Sequence, residues 1–141
     1  MSLEANKALV RRLFEESDHR QGDLPAELFG PNYAAHFTTM PMPLNLDGHV
    51  QMTKMFYAAF PDLHHTIEDQ IAEGDKVFTR ATARGTHLNA FMGIPATGKS
   101  FAITITSLDR VMGDEIVEEW VLGDTLGMMQ QLGAIPAPQA S

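Results

Sequence analysis

At Pro61 the spacing of apolar residues changes, and that change limits what this chain can fold into more than any other feature. Upstream the spacing is helical. Leu9, Val10, Leu13 and Phe14 share one face with Arg11, Arg12, Glu15 and Glu16 opposite, which predicts an amphipathic helix from Ser2 to about Gln21, ended by Gly22. Pro25 to Phe29 suits a short second helix, and Pro31-Asn32 punctuates before the run Tyr33 to Phe37. Pro41-Met42-Pro43 is a loop, since two prolines fix φ and remove donors. Met52, Met55, Phe56, Ala59 and Phe60 then follow i, i+3, i+4, i+7, i+8 in a helix with Asp47 as N-cap, stopped by Pro61. Downstream the period is two. Strands are expected over Leu63–Ala72, Lys76–Arg84, Ser100–Val111 and Glu115–Leu122, joined by Gly74-Asp75, the Gly85–Lys99 loop and Gly113-Asp114. Short turns make neighbouring strands antiparallel. Asp124 caps a last helix to about Leu132, with Gly133 at its C-terminal stop. The expectation is an α+β domain over residues 1–133, its helices on one face of a curved antiparallel sheet, with 134–141 as a fraying tail.

One string argues for a different fold. Gly93-Ile94-Pro95-Ala96-Thr97-Gly98-Lys99-Ser100 matches the phosphate-binding pattern G-x-x-x-x-G-K-[ST]. That cradle works when its amides open into a helix N-terminus. Here Phe101-Ala102-Ile103-Thr104-Ile105-Thr106 follows, a strand sequence, and Pro95 removes an amide. The string reads as a loop between strands.

Composition removes several function classes. Ten Lys and Arg against eighteen Asp and Glu give a net charge of −8, which repels nucleic-acid backbones and anionic lipid. The absence of cysteine leaves no disulfide, thiol nucleophile or thiolate metal site. The start Met1 to Lys7 lacks the apolar run of a signal peptide, and no apolar stretch is long enough to span a bilayer. A cytoplasmic protein is expected. No H-E-x-x-H, G-x-S-x-G or G-x-G-x-x-G occurs, and neither a cofactor nor a metal is expected.

Several blocks, in this order of elements, resemble the SnoaL-like polyketide cyclases of the nuclear-transport-factor-two-like superfamily. They are Ala59-Phe60-Pro61-Asp62-Leu63, Glu73-Gly74-Asp75, Gly85-Thr86-His87, Phe91-Met92-Gly93-Ile94-Pro95 with Thr97-Gly98-Lys99, Ile116-Val117-Glu118-Glu119-Trp120, and Asp124 with Gln130-Gln131-Leu132-Gly133. The resemblance implies a cone-shaped, cystatin-like α+β fold enclosing an apolar pocket for a hydrophobic small molecule, and a homodimer through the outer sheet face. It also implies a departure. The family's aldol cyclases place an acid/base Asp immediately after the position matching Trp120, where this chain has Val121; of the assisting polar positions, matched by Ala35, Ile105 and Ser107, only Ser107 is polar. Valine exchanges no proton, so that mechanism is not expected.

Strand alternation nominates other groups. On the last strand Val117, Glu119, Val121 and Gly123 face the pocket, while Glu118, Trp120 and Leu122 face outward. Glu119 is the first acid/base candidate, unless curvature carries it to a rim where Arg80 or Arg84 pairs with it. His65 shares the inward register of Leu63 and Ile67, either as an acid/base group or as a hydrogen-bonded core histidine; its neighbour His64 points the other way. His36, after Tyr33 near the expected entrance, is the third candidate. Tyr33, Phe56, Ile105, Ser107 and Val121 are expected around the pocket. His87 is expected to pin the long loop, and Trp120 to serve packing or an interface. Three functions stay open: a cyclase, isomerase or lyase acting on a carbonyl compound, a non-catalytic binder of a small molecule or partner, and an epoxide-hydrolase-like enzyme.

Overall fold

The computed structural model describes residues 2–136, so Met1 and the part of the expected tail at 137–141 lie outside the described residues. Helix α1 runs Leu3–His19, its N-terminus capped by the Ser2 hydroxyl, which accepts from the Ala5 amide. A 3-10 turn over Ala26–Leu28 leads into β1, Phe29–Phe37. Helix α2 is Leu46–Ala59, followed by β2 (His64–Glu73), β3 (Lys76–Thr86), β4 (Ser100–Met112), β5 (Glu115–Gly123) and α3 (Thr125–Gln131). Asp124 caps α3 as expected, accepting from the Gly127 amide at 2.9 Å. The cap of α2 is Asn45, whose side chain accepts from the Gly48 amide, rather than Asp47. Asp47 lies inside the first turn, where its charge complements the helix dipole.

β2 to β5 form the expected antiparallel meander, and the sheet order is β1-β5-β4-β3-β2. The sheet is nevertheless mixed. β1 joins β5 in parallel, with Ala35 opposite Glu119 and His36 opposite Trp120. Pro31 made this segment read as punctuation rather than strand. It is accommodated because β1 is an edge strand whose register shifts between Phe29 and Ala34, where a missing amide breaks no central ladder. Further register shifts fall between Ile67 and Asp69 in β2 and between Arg110 and Val111 in β4. Irregularities of this kind bend strands and add twist.

Helix α1 packs on β2, β3 and β5, α2 on β1, and α3 on β4. Beneath them lie two main apolar clusters. One joins Phe60, Phe91, Phe101, Met128 and Leu132, and the other Leu13, Leu24, Leu28, Phe29, Tyr33 and Ile116. The Gly93–Ser100 string lies between β3 and β4 and enters a strand at Ser100. His87 pins it: the His87 amide donates to the Lys99 carbonyl, the Gly98 amide donates back to the His87 carbonyl, and Nδ1 meets Thr97 Oγ1 at 3.0 Å. No helix begins there to aim amides at a phosphate.

Candidate functional site

Between helices and sheet lies a cavity of about 200 Å³. Its walls are mostly apolar: Leu13, Phe14 and Leu24 from α1 and the segment after it, Met52 and Phe56 from α2, Phe101, Ile103 and Ile105 from β4, and Val121 from β5. The exposed threonines Thr38, Thr39 and Thr125 mark its rim. Of the expected pocket residues, Phe56, Ile105, Ser107 and Val121 line it, as do Glu119 and His65, whereas Tyr33 is buried and is not part of its wall.

The floor carries a buried polar group built from four elements. Glu119 of β5 is only 3 % exposed, and its Oε1 accepts a hydrogen bond from the Tyr33 hydroxyl of β1. The Tyr33 oxygen also lies 2.9 Å from His49 Nδ1 on α2, which is itself 3.7 Å from Glu119 Oε1. Directly across the β4–β5 pair from Glu119 stands Asp109, with no exposed surface. Ser107 donates to Asp109 Oδ2 at 3.0 Å, while Oδ1 has no donor among the described residues. Two buried carboxyls side by side cannot both ionise cheaply. Burial, and then the charge of Glu119, push the Asp109 carboxyl well above the usual carboxylate range. The Asp109 carboxyl is thus held toward its protonated form. The same two causes, in the same order, raise the Tyr33 phenol well above its ordinary value, so it stays a donor. Burial lowers His49, opposed in part by Glu119, and holds the imidazole neutral.

Glu119 pairs with no arginine. Arg80 is bound to Asp69 at 2.9 Å on the opposite face, and no Arg or Lys lines the cavity among the described residues. His36 does not reach the cavity. Because β1 pairs in parallel with β5, His36 falls beside Trp120 on the outer face, stacked on its ring at 5.3 Å and bound through Nε2 to Glu118 Oε2 at 2.7 Å. His65 reaches the cavity from β2, held by a carboxylate that the sequence reading passed over. Its Nδ1 lies 2.7 Å from Asp18 Oδ1, and its amide donates to Asp18 Oδ2 at 2.8 Å. His49, Asp109 and Asp18 are the groups that residue-type searching missed. Each lies on an apolar period that the sequence displays: His49 one turn before Met52, Asp109 two residues past Ser107, and Asp18 four past Phe14. Among the described residues no group of three or more His, Asp or Glu is arranged to hold a metal ion. No described helix is long and apolar enough to cross a membrane.

Known structures share this architecture. AclR from Streptomyces galilaeus, a putative hydroxylase, superposes with a TM-score of 0.88 at 22 % identity, over 98 % of this chain and 87 % of its own. IdmH from Streptomyces antibioticus, a putative polyketide cyclase, is 32 % identical over 91 % of this chain and 98 % of its own, with a TM-score of 0.81. A putative SnoaL-like polyketide cyclase from Jannaschia sp. CCS1 reaches a TM-score of 0.82 at 22 % identity, covering 94 % of each chain. No curated protein matches the chain. The SnoaL-like polyketide cyclase family model matches residues 8–132, which is nearly all of the described fold and every group of the cavity floor. The chain therefore belongs to the SnoaL-like polyketide cyclase family.

Proposed function

We propose that this protein binds an apolar, carbonyl-containing small molecule in the cavity and moves a proton on it, with Glu119 as the acid/base group. One observation carries the reading: a carboxylate stands at the floor of an apolar cavity, fixed by a tyrosine hydroxyl instead of neutralised by a cation. An ionisable group in that setting is costly for stability alone and is the usual arrangement for proton transfer. Val121 lines the same cavity two residues from Glu119 and cannot replace the Asp of the aldol cyclases. The chemistry is therefore enolisation, as in an isomerase or lyase, in place of the Asp-dependent ring closure. An epoxide-hydrolase arrangement has no support, because no Arg lines the cavity among the described residues.

The test is exchange of α-protons of hydrophobic ketones, such as 2-tetralone, for deuterium in heavy water, followed by NMR. Binding is checked separately by thermal shift, since a ligand at a hundred times its Kd stabilises by about 2.7 kcal/mol. Exchange above buffer that falls at least about 100-fold in Glu119→Gln supports the reading. Binding without exchange makes the protein a non-catalytic carrier, and full exchange in the variant moves the chemistry off Glu119.

We further propose that the protein is a homodimer through its outer sheet face. Supporting this, His36, Trp120, Leu108, Phe78 and Ile71 lie in register across all five strands as one mostly apolar row. Trp120 is 37 % exposed there. A row of this kind needs cover in water. Sedimentation should show a dimer at micromolar concentration that Trp120→Glu converts to monomer; a monomeric parent protein removes the proposal.

A further inference from the structure

The cavity has a second polar pole, away from the floor. His65 pairs with Ala83 and Ala83 with Ile103, whereas Glu119 pairs with Asp109, so the two groups enter the cavity at different depths of β4. His65 is held by α1, which α2 braces in turn. Asp18, at the end of α1, accepts from its ring Nδ1 and its backbone amide. Tyr57 of α2 donates to the same Asp18 oxygen at 2.5 Å and lies 3.3 Å from Ser17 Oγ. The ring of Phe14 packs edge-on against the imidazole at 5.6 Å. His64, the neighbour on β2, approaches the other Asp18 oxygen at 3.2 Å. Burial acts to raise the Asp18 carboxyl, but the hydrogen bonds and charge of His65, with the Tyr57 hydrogen bond, outweigh it and leave the carboxyl below its usual value.

This geometry decides which ring nitrogen carries the proton. In the neutral ring, an ionised carboxylate on Nδ1 requires N–H there, which leaves Nε2 with a lone pair. Among the described residues nothing donates to Nε2, and His65 lines the cavity. A hydrogen-bond acceptor left open in an apolar cavity is the complement of a proton donor on a ligand.

We propose that His65, positioned by Asp18, is a second acid/base group of the cavity, taking a proton from an acidic O–H or enolisable C–H of an apolar ligand such as a phenol or enol. The O–H or C–H bond breaks, its electron pair stays on the ligand, the proton goes to Nε2, and the imidazolium formed is balanced by Asp18. Return of that proton to another ligand atom or to water restores the pair. His65 touches the ligand and is catalytic; Asp18 acts through it and is a positioning residue. The inference rests on the cavity being the ligand site.

Its test begins without a ligand. Nitrogen-15 NMR of the full chain should show neutral His65 protonated at Nδ1 and bare at Nε2. In Asp18→Asn, whose amide can donate to Nδ1, the tautomer should reverse while the remaining amide spectrum stays that of the folded protein. Because that variant could fail to fold, the parent protein is also treated with diethyl pyrocarbonate, which acylates bare imidazole nitrogens. His65 should react in the folded protein while the buried His49 and His87 do not. A proton on Nε2 in the parent, or His65 reacting only after unfolding, overturns the proposal. In the ketone assay, His65→Gln should lower exchange at least tenfold, and unchanged exchange overturns the acid/base role. A protein that exchanges no ketone fails the proposed function at Glu119, whereas a wrong tautomer fails only this pair.

Discussion

Glu118 and Glu119 are chemically identical neighbours on β5, yet they belong to two regions with opposite rules. Glu118 faces out, bridging His36 at 2.7 Å and Arg110 at 3.2 Å. The hydrogen bond from His36, and then Arg110, hold its carboxyl below the usual value. Glu119 faces in, among Tyr33, His49 and Asp109, with no cation. Outside, basic side chains beside it favour the ionised carboxylate. Inside, the carboxyl is held by neutral groups placed by other elements, so each of those groups becomes part of the site. The same side chain is an outer-face group in one region and the proposed acid/base group in the other, and only the strand's alternation separates them.

The largest expected difference between the regions is chemical. In the ketone exchange assay Glu119→Gln should cost a factor of about 10² to 10⁴, while Glu118→Gln should leave the rate unchanged. Equal losses from both would mean that the glutamates act through overall charge and not through the cavity. Next is stability. Tyr33→Phe takes the donor from a buried carboxylate and should cost about 1.5–3 kcal/mol in urea unfolding. His36→Ala, on the outer face, should cost no more than about 1 kcal/mol, because Arg110 still serves Glu118 in water. If the two costs match, the floor is wetter than its burial implies.

A third difference concerns pH. Asp109 has a folded pKa raised above the unfolded value of about 3.9. Below that value both states carry the proton, and above it only the unfolded chain releases one. The stability that Asp109 contributes is therefore full below about pH 4 and declines as pH rises toward the folded pKa, by at most about 1.4 kcal/mol per pH unit. Asp109→Asn retains an acceptor for Ser107 and supplies an N–H donor in place of the carboxyl proton. Urea midpoints from pH 4 to 8 should show the variant gaining on the parent protein as pH rises. A constant difference would show that Asp109 releases its proton as readily folded as unfolded.

Much of this is legible in the sequence. The switch at Pro61 yielded the helices, the meander and the inward direction of Glu119, because period is a property of the backbone that any apolar residue reports. β1 was hidden by Pro31, since a proline forbids a central strand but is harmless on an irregular edge. That one omission misplaced His36, whose direction follows from its pairing with Trp120 and not from its distance along the chain. Asp18 and Asp109 were hidden for another reason: each continues an apolar stripe with a charged residue. A pattern search ends the stripe at that point, although a buried site begins there. The partner that makes such burial affordable lies on another element and is set by tertiary contact alone.

The parallel attachment of β1 bears on how the proposed site comes to be assembled after synthesis. Tyr33 and Glu119 are 86 residues apart, and their strands can meet only after β5 has been made. Closing that span costs about 2 kcal/mol more chain entropy than closing a ten-residue hairpin, with no local contact to offset it on the way. Pairings of such sequence separation slow folding and come late in it. A chain caught with its meander formed but β1 undocked would hold Glu119 without its tyrosine. Catalytic competence should therefore trail secondary structure during refolding, and proton exchange would serve as a kinetic probe of the last docking step.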